Sequence, residues 1–226
     1  MEILTFGDHG TPVLVFPTRM GRFYEYEDRH MIDVLSPQIE HGLLQFFCVD
    51  SIDNDSLYCD WRHPRDRIAR HLDYERYILD EVLPFIAWRN STRFLMVHGC
   101  SLGAFHAVNI AFRHPQRFSK IVAFSGRYDL CQPSFGFGDL FGGYYDETIY
   151  FNTPCHFVPN IGDPHLLAAL RQLEIVLAIG SDDPFFDNNH HFSSILTGKA
   201  IGHTLSVWPG RAHDFHAWRA MATALL

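Results

Sequence analysis

Near the middle of the chain, Gly99-Cys100-Ser101-Leu102-Gly103 sets a serine between two glycines, each two positions away. This is the Gly-x-Ser-x-Gly spacing of a nucleophile elbow, a sharp turn from strand into helix that lifts a hydroxyl clear of the backbone. The glycines have a physical job there. The serine takes a strained conformation, and a side chain at either flanking position would collide with the neighbouring strand or helix. A lone hydroxyl is a weak nucleophile, so a base must take its proton and a third group must orient that base. Acyl transfer through a covalent intermediate is the chemistry such a set performs.

Candidates for the other two roles come later in the chain. Among fifteen histidines, His213 is singled out by position, in the loop between a last strand and a last helix, directly after Trp208-Pro209-Gly210-Arg211-Ala212. His216 falls on that helix and His203 precedes the strand. For the acid, Gly180-Ser181-Asp182-Asp183-Pro184 ends a strand with two carboxylates. Asp183 is preferred, Asp182 stays open on spacing alone, and Asp129, after the preceding strand, is a third option. Asp214 reads as a helix cap. The pairs His190-His191 and His213/His216 lack the companions of a metal site, so no metal is expected.

These residues need elements to carry them. Phe94 to Val97 is a continuous apolar run, suited to a strand covered on both faces. From Leu102 the spacing becomes helical, with Ala104, Ala107, Val108 and Ala111 toward a sheet and Pro115 as the stop. Residues 94–112 contain no charged side chain and are long enough to span a bilayer, but His98, Ser101, His106, Asn109 and the paired glycines sit badly in lipid. A packed core is the better reading, with no membrane partner.

Earlier, Glu2–Phe6 and Pro12–Phe16 read as a hairpin closed at Gly7-Asp8-His9-Gly10. The second strand ends in Pro17-Thr18-Arg19-Met20-Gly21. Asp28 would cap a helix through Leu35, distorted by Pro37 and closed at Gly42. Leu43–Val49 predicts a strand and Arg67–Trp88 a helix. Past the elbow come a strand at Ile121–Phe124, a helix at Leu166–Leu173, a strand at Ile175–Ile179, helix at Phe192–Leu196, a strand at Thr204–Val207 and a closing helix from Phe215. Such alternation predicts an α/β fold, a mostly parallel central sheet with helices on both faces.

With 226 residues, 47% of them apolar, one domain over 1–226 is expected. Residues 125–164, rich in glycine, proline, phenylalanine and tyrosine, read as a small cap that lines a pocket. Tyr24, Tyr26 and Trp61, with Phe135, Phe137, Tyr144 and Tyr145 of that segment, are candidate substrate contacts. A net charge of -8 argues against nucleic acid as a partner. The N-terminus lacks the basic start and long apolar stretch of a signal peptide, which favours a cytoplasmic location. Five cysteines without a C-x-x-C pair read as core residues or free thiols.

Four segments carry a resemblance: YERYILDEVLPFI (74–86), HGCSLGAFHAVNIAFRHPQRFSKIVAFSG (98–126), GSDDPFFDNN (180–189) and GRAHDFHAW (210–218). They resemble the esterase family of α/β-hydrolases that includes the esterase D, enterochelin-esterase and feruloyl-esterase groups. The resemblance implies an α/β-hydrolase fold with a minimal cap, Ser101 as nucleophile, His213 as base and Asp183 as the orienting acid. It implies a small carboxylic ester as substrate, short-chain or aromatic, and no cofactor. One oxyanion donor would be the N–H of Leu102. The usual glycine-rich oxyanion loop is replaced by residues 17–21, so the second donor would be the N–H of Arg19 or of Met20. An acyltransferase with the same triad and a non-catalytic binding scaffold are the alternatives.

Overall fold

Seven strands form one sheet in the computed structural model, which describes residues 1–226. In chain order they are β1 (Ile3–Phe6), β2 (Thr11–Phe16), β3 (Leu44–Val49), β4 (Met96–Cys100), β5 (Lys120–Phe124), β6 (Glu174–Gly180) and β7 (Thr204–Trp208). They lie in the order β1-β3-β2-β4-β5-β6-β7, with β1 antiparallel to β3 and every other neighbouring pair parallel. The parallel strands therefore release their following loops at one edge. Between β2 and β4 the winding reverses, and a crevice opens there in folds of this kind.

Burial along the strands sets the layers. Every residue of β3 and β4 is buried, as central parallel strands require. On β2 the two-residue period sends Leu14 and Phe16 to one face and Val13 and Val15 to the other. The first face is covered by α4 (Pro64–Tyr77), α6 (Leu102–Arg113) and α10 (Phe186–Gly198); the second by α2 (Met31–Val34) and α11 (Phe215–Leu225). The remaining helices are α1 (Glu25–Asp28), α3 (Ser36–Glu40), α5 (Leu83–Arg89), α7 (Glu147–Phe151), α8 (Pro154–Phe157) and α9 (Pro164–Leu170). In α6 every residue but Arg113 is buried, which accounts for its uncharged sequence as a helix packed on all sides. No helix is long and apolar enough to cross a membrane.

Two expectations are corrected. β1 and β2 do not form a hairpin, because β3 lies between them, antiparallel to one and parallel to the other. The turn at 7–10 steps over the end of β3, where buried Gln45 donates to the Gly7 carbonyl at 2.9 Å and Asn90 donates to the Gly10 carbonyl at 2.9 Å. The helix expected from Asp28 is three short ones. His30, with a φ of 57°, separates α1 from α2, Asp28 ends α1, and Pro37 opens α3.

The long helix expected over 67–88 is α4 and α5 joined by a π segment, Ile78–Val82. Pro84 has no N–H for the carbonyl four residues earlier and its ring would strike it; the wider turn makes room. Within residues 125–164, Leu130, Phe141 and Ile149 pack with Leu57, Ile68, Leu102 and Phe105. That segment thus closes over the start of α6.

Candidate active site

β4 ends at Cys100 and α6 begins at Leu102, so Ser101 makes the whole turn by itself. Its φ of 56° and ψ of -116° lie in a region that non-glycine residues rarely adopt. The flanking glycines are forced by contact. A Cβ on Gly99 would stand 2.3 Å from the Gly103 carbonyl carbon, and one on Gly103 would stand 2.3 Å from the Phe16 carbonyl oxygen of β2.

The hydroxyl meets an imidazole delivered from the far end of the sheet. Ser101 Oγ lies 3.1 Å from His213 Nε2, and His213 Nδ1 lies 2.8 Å from Asp183 Oδ2. A carboxylate only accepts, so Nδ1 carries the proton and Nε2 is left to accept from the serine. Asp183 has a fully buried side chain and its Oδ1 takes the N–H of Phe185 at 2.9 Å. Of the other acids considered, Asp182 is exposed beside Ser181, and Asp129 is bonded to His156 at 3.1 Å; neither bonds His213.

The loops bearing acid and base are stitched together. Ser181 N–H donates to the Trp208 carbonyl, Asp182 N–H to the Gly210 carbonyl, and Gly210 N–H to Ser181 Oγ. Gly180 permits this approach, since a Cβ there would lie 2.3 Å from the Arg211 carbonyl oxygen. Ala212, at a φ of 46°, turns the chain into His213. Buried Ser125, which follows β5, accepts from Trp218 Nε1 at 3.1 Å and lies 3.5 Å from the Ala212 carbonyl oxygen. The rings of Trp218 and Phe185 both pack edge-on to His213.

Facing Ser101 is the loop after β2. Glu25 accepts from Thr18 N–H at 2.8 Å and buried Asp53 accepts from Met20 N–H at 2.8 Å, so both neighbours of the Arg19 N–H are committed. Arg19 N–H has no acceptor within the chain. Leu102 N–H, in the first turn of α6, has no carbonyl a turn before it in that helix. Two residues with uncommitted N–H groups, Arg19 and Leu102, therefore line the same cavity as Ser101, and Leu102 sits at the positive end of a twelve-residue helix.

A cavity of about 500 Å³ lies over these groups, lined by Arg19, Tyr58, Ser101, Leu102, Phe137, Phe185, His213, Phe215 and Trp218 among others. Phe137 is the one aromatic of the expected substrate contacts that the structure brings to it. Tyr24, 41% exposed, packs on Phe23; Trp61 is 76% exposed; Tyr144 packs on His63 and donates to Asp146. Tyr26 is buried and bonded to Cys100. Glu25, Asp53 and Ser125 are positioning residues that the sequence reading does not single out. No local pattern marks them: Asp53 and Ser125 act across long stretches of chain, and Glu25 reaches back seven residues to Thr18 without any motif spacing.

Asp129, Cys131 and His156 hold three possible metal-ligating atoms within 4.8 Å of one another. Burial pushes the Cys131 thiol up to about 12, and Asp129 is already engaged by His156 and by two N–H groups. All five cysteines are free.

Residues 46–224 match the profile of a family described as "Putative esterase". The chain belongs to this esterase family. Its fold is that of α/β-hydrolase esterases: a ferulic acid esterase superposes with a TM-score of 0.73 at 19% identity, over 96% of this chain and 83% of the other. An S-formylglutathione hydrolase from Staphylococcus aureus gives 0.71 at 16% identity, over 96% and 80%. YahD, with malic acid, gives 0.61 at 14% identity, over 99% and 96%. A comparison with curated proteins finds no match. As an esterase-family hydrolase the chain is expected to act on small esters.

Proposed function

We propose that this protein is a serine carboxylic-ester hydrolase in which Ser101 is the nucleophile, His213 the base and Asp183 the group that orients the base. The unbroken bond chain from Asp183 through His213 to Ser101 carries the reading. His213 Nε2 takes the serine proton as Oγ attacks the ester carbonyl, and the same imidazole then gives that proton to the leaving alcohol. The oxyanion is stabilised by the N–H groups of Arg19 and Leu102, aimed where the negative charge develops. Water, deprotonated by His213, releases the acid and restores the hydroxyl. Met20 is set aside as a donor because Asp53 holds its N–H.

Labelling with a fluorophosphonate and hydrolysis of short-chain aryl esters test the proposal. The parent protein should label and turn over; Ser101→Ala should do neither. An unlabelled parent would leave a binding scaffold as the reading, and equal hydrolysis by Ser101→Ala would remove the serine from the chemistry. Release of a new ester on adding an alcohol, in preference to free acid, would make the enzyme an acyltransferase with the same residues.

A further inference from the structure

The cavity over Ser101 is charged opposite to the molecule that holds it. The chain carries a net charge of -8, yet Arg19, Arg29 and Arg127 line this one cavity, with Asp214 as the acid facing it. Asp214 is occupied as the cap of α11, its Oδ1 taking the N–H of Ala217 at 2.9 Å.

Each guanidinium is held by its surroundings. Arg127, 7% exposed, spends Nε and Nη2 on the carbonyls of Asp129, Leu130, Gln132 and Gly138. Its Nη1 has no acceptor in the chain. The carboxylates of Asp129 and Asp139 lie near enough to favour its charge, but neither carboxylate is bonded to it: that of Asp129 serves His156 and two N–H groups, and that of Asp139 serves the N–H groups of Phe141 and Gly143. Arg127 stacks on Phe185, the ring that also packs on His213. Arg19 lies over the Tyr58 ring at 5.3 Å and Arg29 over the Phe215 ring at 5.4 Å. Aromatic platforms support these two exposed side chains at the mouth, and no carboxylate forms a salt bridge with either. Arg127 Nη1 is not sealed in the core, so the one unspent nitrogen of this guanidinium is open to an acceptor that enters the cavity Arg127 lines.

We infer that the ester hydrolysed here bears a carboxylate, held by Arg127 and by Arg19 or Arg29 while its ester carbonyl faces Ser101. The inference rests on the hydrolase reading above and narrows its substrate class. Local positive charge inside a negative molecule would concentrate such anions at the site, an effect that added salt weakens.

The test compares 4-acetoxybenzoate with its neutral methyl ester, and the monoanion phenyl hydrogen glutarate with phenyl butanoate, measuring kcat/KM with spontaneous hydrolysis subtracted. In at least one pair the anionic ester should be favoured by about tenfold or more at low salt, the size of one good charge-assisted bond. The preference should shrink at about 0.5 M salt. It should fall severalfold in Arg29→Gln or in Arg19→Gln, according to which side chain shares the carboxylate with Arg127, and an unchanged preference in both overturns the inference. The ratio of two esters within one preparation is unaffected by a general loss of folded protein or of oxyanion geometry, so these variants stay informative. Arg127→Gln, which also loosens the 129–138 loop, is the supporting variant. A parent enzyme that labels with fluorophosphonate but prefers the neutral ester in both pairs overturns the inference and leaves the hydrolase reading intact. A parent that does not label removes both.

Discussion

Asp53 and Glu25 fix one short loop from two sides and leave a single N–H there free, that of Arg19, which we propose as a donor to the reaction oxyanion. Asp53→Ala should let Met20, held at a φ of 61°, relax and carry the Arg19 N–H out of line. A fall in kcat of about tenfold or more with little change in KM is expected, since that donor acts in the transition state. A fall in KM affinity alone would place Asp53 outside the chemistry. On the same mechanism Asp183→Asn should cost about 10⁴-fold in kcat, because an amide in that place holds His213 in the wrong tautomer. Asp182→Asn should stay within a few fold of the parent. Equal losses from both aspartates would contradict the bonding at His213.

At the level of elements, the elbow and the last helix are the joints under most constraint. Gly103→Ala would drive a methyl group into the Phe16 carbonyl at the end of β2, and β2 cannot retreat from between β3 and β4. Overpacking of this kind costs about 1–3 kcal/mol, read as a lower urea midpoint. An unchanged midpoint would mean that α6 can slide on the sheet. Asp214→Ala removes the N-cap of α11 and should cost about 1 kcal/mol. Since Asp214 directly follows His213, the fluorophosphonate rate should fall with it. The elbow was legible because its demands are local, and the order of serine, acid and base along the chain matched the strands that bear them. Strand pairing was not legible. The four-residue turn at 7–10 suits a hairpin, yet β3, buried along its whole length, takes the place between its arms.

Across the whole molecule, two buried imidazoles make the fold sensitive to acid. His98 donates from Nδ1 to the Val122 carbonyl and leaves Nε2 buried without a partner; His71 accepts from Asn109 and leaves Nδ1 in the same state. Burial lowers His98 to about 4 and His71 to about 3. In the unfolded chain both titrate at about 6.5, so the unfolded state binds protons first as the pH falls. Stability is complete above about pH 6.5 and declines toward 4, by about 2 kcal/mol per ring at pH 5. Burial opposes the charge on Glu75, but bonds from His114 and Arg113 outweigh it and take the carboxyl down to about 2. That contribution is present above about 4.5 and is lost as pH falls toward 2. Urea midpoints at pH 7.5 and 5 check the first effect: a marked drop is expected, and equal midpoints would mean the rings are solvated.

The amino-acid order alone determined the elbow, the sequence of strands and helices around it, and which serine, aspartate and histidine were worth weighing, because backbone strain, periodicity and loop position are written in neighbouring residues. The folded chain decided what depends on distance across it. It bonded Asp183, and neither Asp182 nor Asp129, to His213, and it spent the N–H of Met20 on Asp53 while leaving that of Arg19 free. It also put Tyr58 and three arginines, in place of Tyr24, Trp61 and Tyr144, around the cavity. Those choices follow from which parallel strand ends share one edge of the sheet, and no spacing along the chain encodes that.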